Sequence, residues 1–69
     1  MRLSARNQLA GTVASIDVGA VMATVVIRLD GGQEVVAAIT KDSAETLGLA
    51  TGDAVTAVIK ATEVMVGKE

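Results

Sequence analysis

Three short polar segments of this 69-residue chain carry side chains that could hold an anion: Ser4-Ala5-Arg6-Asn7, Thr40-Lys41-Asp42-Ser43 and Lys60-Ala61-Thr62. A tetrahedral oxyanion needs positive charge and hydrogen-bond donors without a competing acceptor. Arginine supplies a planar fork of N–H donors, and hydroxyls, amides and free backbone N–H groups supply the rest. Taken by spacing alone, each segment is more typical of ordinary structure: the start of a strand, a helix cap, or a solvated lysine on a strand.

The chain has few side chains that could catalyse a reaction. The chain has no histidine and no cysteine, which removes the usual nucleophile–base pairs, disulfides and common zinc sites. The remaining general bases are eight Asp and Glu residues, most of them in predicted turns or at solvent-facing strand positions. A paired-carboxylate site would need two of them in one cleft, and so small a fold has little room for one. We therefore expect no enzymatic activity, and no cation site among the basic and hydroxyl groups.

The charge and composition argue against nucleic acid and membrane as partners. The formal net charge is −2 and there is no aromatic residue, whereas single-stranded nucleic acid is bound by clustered basic residues with stacking aromatic rings. The sequence shows no run of 18 apolar residues and no leader that ends in a cleavage site. A cytoplasmic location is the default expectation.

Glycine turns separate short segments that are rich in valine and isoleucine. From Ala20 to Leu29 every odd position is apolar, which is the pattern of a half-buried strand. A short helix is expected between Thr40 and Leu49, with Thr40 or Asp42 as its N-cap and Gly48 at the C′ position. The predicted strands cover residues 8–18 (broken at Gly11), 20–29, 33–40 (covered on both faces), 54–60 and 63–66.

Five short strands with one short helix between the third and fourth predict an all-β fold. A single domain over residues 1–69 with a small five-stranded OB-like Greek-key barrel fits this order, and an SH3-like barrel is the alternative. A core of valine and alanine without aromatics buries little area per side chain, so the free monomer is expected to be marginally stable. Association into a homo-oligomer is the remaining way to bury more surface.

The order and spacing of several motifs resemble the molbindins, the free-standing Mop-type molybdate-binding proteins. The resemblance covers nearly the whole chain and rests on four blocks: Ser4-Ala5-Arg6-Asn7-Gln8-Leu9 before Gly11; Ala38-Ile39-Thr40 with Ser43; Leu47-Gly48-Leu49 with Gly52; and Val58-Ile59-Lys60-Ala61-Thr62 with Val64. It implies an OB-like barrel that assembles as a hexamer from dimers or trimers and binds molybdate or tungstate between subunits. The implied role is intracellular molybdenum storage and homeostasis.

The same resemblance implies roles for individual residues. Ser4 and Arg6 match positions that contact the anion from one subunit, within a motif that also contains Ala5 and Asn7. Asn7 can instead hold the start of the strand through bonds from its side chain to the backbone. The positions implied to contribute from a neighbouring subunit are Thr40, Ser43 and Lys60, with the backbone N–H of Ala61, where some relatives carry serine.

Two other classes of function remain open from the residues themselves. One is an OB-type module that binds nucleic acid, which would call for stacking aromatics and a basic stripe. The other is a non-catalytic oligomerisation module, in which Arg6 and Lys60 only form ion pairs between subunits.

Overall fold

A computed structural model describes all of residues 1–69 and shows an all-β fold with one short helix. In chain order the elements are β1 (Asn7–Val18), β2 (Met22–Leu29), β3 (Glu34–Thr40), α1 (Lys41–Leu47) and β4 (Ala54–Ile59), followed by a 3₁₀ turn (Ala61–Glu63). The helix predicted between the third and fourth strands is confirmed. No helix of the structure has the length and apolar character needed to cross a membrane.

The four strands form one antiparallel sheet in the order β3-β2-β1-β4. β1 is long enough to pair twice. Its first half pairs with β4, from Asn7 opposite Ile59 onward, and its second half pairs with β2, ending at Val18 opposite Ala23. The register shifts between Val13 and Ser15, where a bulge bends the strand. After β3, at one edge of the sheet, the chain passes through α1 to the other edge, where β4 pairs with β1.

β1 runs through Gly11 without a break, so the predicted interruption there is wrong. Gly11 lies where β1 pairs with β4 on one side and β2 on the other. A Cβ atom at this position would lie 2.6 Å from the carbonyl oxygen of Arg28 and 2.8 Å from Cγ2 of Ile27. The glycine therefore permits a close approach between strands rather than ending one.

The strand predicted over residues 63–66 is also wrong. After Ile59 the chain enters the 3₁₀ turn, in which the Glu63 N–H donates to the Lys60 carbonyl over 2.9 Å, and the residues from Val64 onward pair with no strand. Alternating apolar residues favour a strand, but a strand forms only where the edge of a sheet lies within reach of the segment. With four strands in the sheet, the five-stranded OB-like Greek-key barrel is not confirmed.

The core is small and built from the odd positions of β2, as the alternation predicted. Val25 and Ile27 pack with Val13 and Ala57 in the buried cluster. The molecule exposes 5340 Å², whereas a compact monomer of 6.9 kDa is expected to expose about 4000 Å². β3 is not covered on both faces as predicted, because Val36 on its outer face is 66% exposed. Much apolar surface thus stays open in the single chain.

Candidate functional site

The pairing of β1 with β4 brings two of the three polar segments to the same end of the sheet. Asn7 opposite Ile59 is the last pair, and the residues directly beyond it are Arg6 and Lys60. Ser4-Ala5-Arg6 precedes β1, while Lys60 and Ala61 follow β4. Because the strands are antiparallel, the start of one segment and the end of the other must meet. This neighbourhood could not be read from the sequence, where the two segments are far apart.

Arg6 and Lys60 have no acidic partner within the chain. The two ion pairs of the molecule lie elsewhere, between Arg28 and Glu34 (Nη2 to Oε2, 2.6 Å) and between Lys41 and Glu45 (Nζ to Oε1, 3.9 Å). Both Arg6 and Lys60 are exposed. Two cations beside each other repel, and an anion held between them would convert that repulsion into attraction on both sides.

Gln8 holds the backbone of the first polar segment. Its side-chain Nε2 donates to the carbonyl oxygen of Ala5 over 3.0 Å, which ties residue 8 on β1 back to the segment that precedes it. Gln8 belongs to the motif that resembles the family but had no predicted role, although its position three residues after Ala5 suits such a bond. Ala5 and Asn7 are half-buried and Ser4 is exposed, so the hydroxyl of Ser4 is open to a ligand.

Thr40 and Ser43 form a local hydrogen-bonded unit where β3 passes into α1. The Ser43 N–H donates to Thr40 Oγ1 over 3.0 Å, and the Thr40 hydroxyl donates in turn to Ser43 Oγ over 2.8 Å. Thr40, and not Asp42, is thus the N-cap of the helix. Gly48 ends the helix in the left-handed region with φ of 64°, as predicted. Since Ser43 Oγ accepts from Thr40, its own proton is available to a further acceptor.

The Thr40–Ser43 unit does not meet the Arg6–Lys60 end in one chain. Thr40 of β3 lies opposite Met22, the first residue of β2. The next residue of β2, Ala23, lies opposite Val18, the last residue of β1. Asn7 stands at the other end of that strand, eleven residues away along β1 at about 3.3 Å per residue. The structure therefore groups Lys60 and Ala61 with Ser4–Asn7, and it places Thr40 and Ser43 apart from both.

Comparison with known proteins gives consistent matches over the whole chain. Residues 3–66 match the model of the TOBE domain family. Molybdenum-pterin-binding protein 3 of Clostridium pasteurianum is 48% identical over 66 residues, which cover 96% of this chain and 97% of that protein.

Two solved structures extend these matches to the fold. The structure of a molybdate-binding protein from Sporomusa ovata superposes with a TM-score of 0.92 at 51% identity, covering 99% of this chain and all of the other. The cytoplasmic molybdate-binding protein ModG, solved with molybdate bound, superposes with a TM-score of 0.84 at 51% identity, covering 88% of this chain and 43% of the other.

Proposed function

This chain belongs to the TOBE domain family, and on that premise we propose that it binds molybdate for intracellular storage and homeostasis of molybdenum. The resemblance to the Mop-type molybdate-binding proteins that the sequence indicated is confirmed by its relatives. In this proposal residues 1–69 act as one binding domain in the cytoplasm. The domain holds and releases the oxyanion, without catalysis, and tungstate serves as an equivalent ligand.

The observation that carries the proposal is the pair of cations at the end of β1 and β4. Arg6 and Lys60 lie just outside the last pair of two adjacent strands, and neither forms an ion pair with a carboxylate of the chain. Ser4 contributes a hydroxyl beside them, and Ala5, Asn7 and Ala61 contribute backbone. The net charge of −2 does not oppose binding, because charges beyond about 8–10 Å are screened.

We infer that the site is completed by a second copy of the chain. Thr40 and Ser43, the other donors that match the family motif, lie at the opposite end of β1 from Arg6. A neighbouring subunit can bring them to the cationic end, where the free proton of Ser43 Oγ would face the anion. The exposed surface, about 1300 Å² above that expected of a monomer, supports a homo-oligomer. The family resemblance suggests a hexamer.

The site contains two cations and no carboxylate acceptor, and this also suggests how it selects its ligand. Molybdate is fully deprotonated at neutral pH, whereas phosphate retains a proton that must find an acceptor. Sulfate matches molybdate in charge, so its exclusion would depend on the smaller size of sulfate. A pterin is less suited than a free oxyanion, because the chain has no aromatic side chain on which a pterin ring could stack.

Equilibrium dialysis against labelled molybdate tests the proposal directly. We expect the protein to retain molybdate in the presence of excess sulfate and phosphate, and to release it to excess tungstate. Native mass spectrometry of the same sample counts subunits and bound anions together. If the oligomer retains neither molybdate nor tungstate, the proposed function is wrong. The remaining function is then the oligomerisation module, in which Arg6 and Lys60 form ion pairs between subunits.

A further inference from the structure

Residues 1–6 have almost no hydrogen bonds to the rest of the chain. They precede the first strand of the sheet, and none of the backbone hydrogen bonds in turns, loops and caps involves them. Their single hydrogen bond is the one that the Ala5 carbonyl oxygen accepts from Nε2 of Gln8 over 3.0 Å. The part of the proposed site that contains Ser4 and Arg6 is therefore held by one side chain.

Gln8 is itself fixed in the sheet. It is the second residue of β1 and lies opposite Val58 of β4. Asn7, the first residue of β1, is also paired with β4. Arg6 thus lies between two anchored positions, the paired residue Asn7 on one side and the tied carbonyl of Ala5 on the other. Without the bond from Gln8, the backbone at Arg6 would be anchored on one side only.

Asn7 was the residue expected to hold the start of β1 through its side chain, because a short amide can bond to nearby backbone groups. That side chain makes no hydrogen bond within the chain. The side chain of Gln8 is one methylene longer and reaches back three residues to Ala5. Gln8 therefore fills the role that was expected of Asn7.

The second cation of the proposed site has an anchor of its own. Lys60 directly follows β4, and its carbonyl oxygen accepts from the N–H of Glu63 in the 3₁₀ turn over 2.9 Å. This bond involves neither Gln8 nor the segment that precedes β1. A change at Gln8 should therefore disturb Arg6 and leave Lys60 in place.

We propose that Gln8 is a positioning residue of the oxyanion site, whose bond to the Ala5 carbonyl orders Ser4 and Arg6 before the anion arrives. A residue that becomes ordered only on binding weakens the affinity, because its backbone loses freedom at that moment. A segment that is already ordered avoids this loss. The inference rests on the proposed function and adds a residue that acts through Ser4 and Arg6 rather than on the ligand.

Gln8→Met tests the inference, because methionine is similar in length to glutamine and has no N–H donor. We expect it to weaken molybdate binding about 3- to 10-fold in isothermal titration calorimetry, as for the loss of one neutral hydrogen bond. Gln33→Met is the matched control, since it removes an exposed glutamine between β2 and β3 and should leave the affinity unchanged. Undiminished binding by Gln8→Met would overturn the proposal.

Backbone ¹⁵N order parameters, measured without molybdate, distinguish positioning from direct contact with the anion. Nε2 of Gln8 carries a second N–H that could itself donate to a ligand. If Gln8 acts by positioning, the order parameter of the Arg6 amide should be about 0.85 in the wild-type protein and below about 0.6 in Gln8→Met. Weakened binding with unchanged order at Arg6 would overturn the proposal and make Gln8 a direct contact.

A double-mutant cycle identifies the cation through which Gln8 acts. In an Arg6→Ala background the segment that Gln8 holds no longer carries the charge, so Gln8→Met should weaken binding less than it does in the wild-type protein. In a Lys60→Ala background the full loss should remain, because Lys60 has its own anchor. An equal loss in both backgrounds would overturn the proposal.

Molybdate dialysis of the wild-type protein separates this inference from the proposed function. A wild-type protein that retains neither molybdate nor tungstate would overturn the proposed function, and with it the role of Gln8 in binding. Retention of molybdate by the wild-type protein, with equal affinity in Gln8→Met, would overturn this inference alone.

Discussion

Asn7 lies opposite Ile59 in the last pair between β1 and β4, and the residue just outside each strand is a cation, Arg6 before β1 and Lys60 after β4. Neither has an ion-pair partner in the chain. A protein of net charge −2 thus keeps two cations without an ion-pair partner at the same end of its sheet. An oxyanion bound at this end of the sheet would neutralise both charges.

Removing either cation should weaken molybdate binding more than removing a cation elsewhere. Arg6→Ala and Lys60→Ala each remove a charged donor whose hydrogen bonds are worth about 1.5–3 kcal/mol, so we expect a loss of affinity of about 10- to 150-fold. Arg6→Lys should fall between, because it keeps the charge and loses the fork of donors. Isothermal titration calorimetry measures the change.

Arg2→Ala is the matched control for this prediction, since it removes the same charge from another exposed position near the N-terminus. Equal weakening by Arg2→Ala and Arg6→Ala would mean that overall charge, and not a defined site, governs binding.

Substitutions of Thr40 and Ser43 should affect the stability of the fold and the binding of molybdate to different extents. Thr40→Ala removes the helix N-cap and should lower the free energy of unfolding by about 1 kcal/mol, whereas Thr40→Ser should restore most of it. Ser43→Ala keeps the backbone donor to Thr40 and should leave stability nearly unchanged while it weakens molybdate binding. Urea unfolding at fixed chain concentration and calorimetry report the two effects. Undiminished binding by Ser43→Ala would remove this hydroxyl from the proposed site.

Gly11 should tolerate no side chain. A Cβ atom there would lie 2.6 Å from the Arg28 carbonyl oxygen, so Gly11→Ala must push β1 from β2 and should cost about 1–3 kcal/mol of the free energy of unfolding. Gly67→Ala, where an added Cβ meets nothing within 4 Å, is the control and should have no effect. A stable Gly11→Ala protein with an unchanged urea midpoint would contradict the close approach of the strands.

Stability should depend on both chain concentration and molybdate. If the chain unfolds from an oligomer, its thermal midpoint rises with protein concentration, and an anion that binds only the folded assembly raises it further. At 100 times the dissociation constant the gain is about 2.7 kcal/mol for each site. Differential scanning calorimetry at two protein concentrations, with molybdate or sulfate at equal ionic strength, measures both. A midpoint independent of concentration would argue for a stable monomer.

The sequence by itself determined the local features of this protein. The alternation in β2 marked Ala23, Val25 and Ile27 as its buried positions, because side chains alternate between the two faces of a strand. Thr40 or Asp42 at its start and Gly48 at its end bounded the helix, since capping depends only on residues within one turn, and the structure has Thr40 as the N-cap. The motif that begins at Ser4 indicated the family, which the relatives confirm.

Only the tertiary structure decided which segments meet. Alternation tells which face of a strand is buried but not which strand lies beside it, because pairing depends on a partner distant in the chain. Three features follow from that non-local choice: Arg6 and Lys60 lie at the same end of the sheet, β1 continues through Gly11, and the segment after the 3₁₀ turn stays unpaired. So does the separation of Thr40 from Arg6 at opposite ends of β1, which makes a second copy of the chain part of the proposed site.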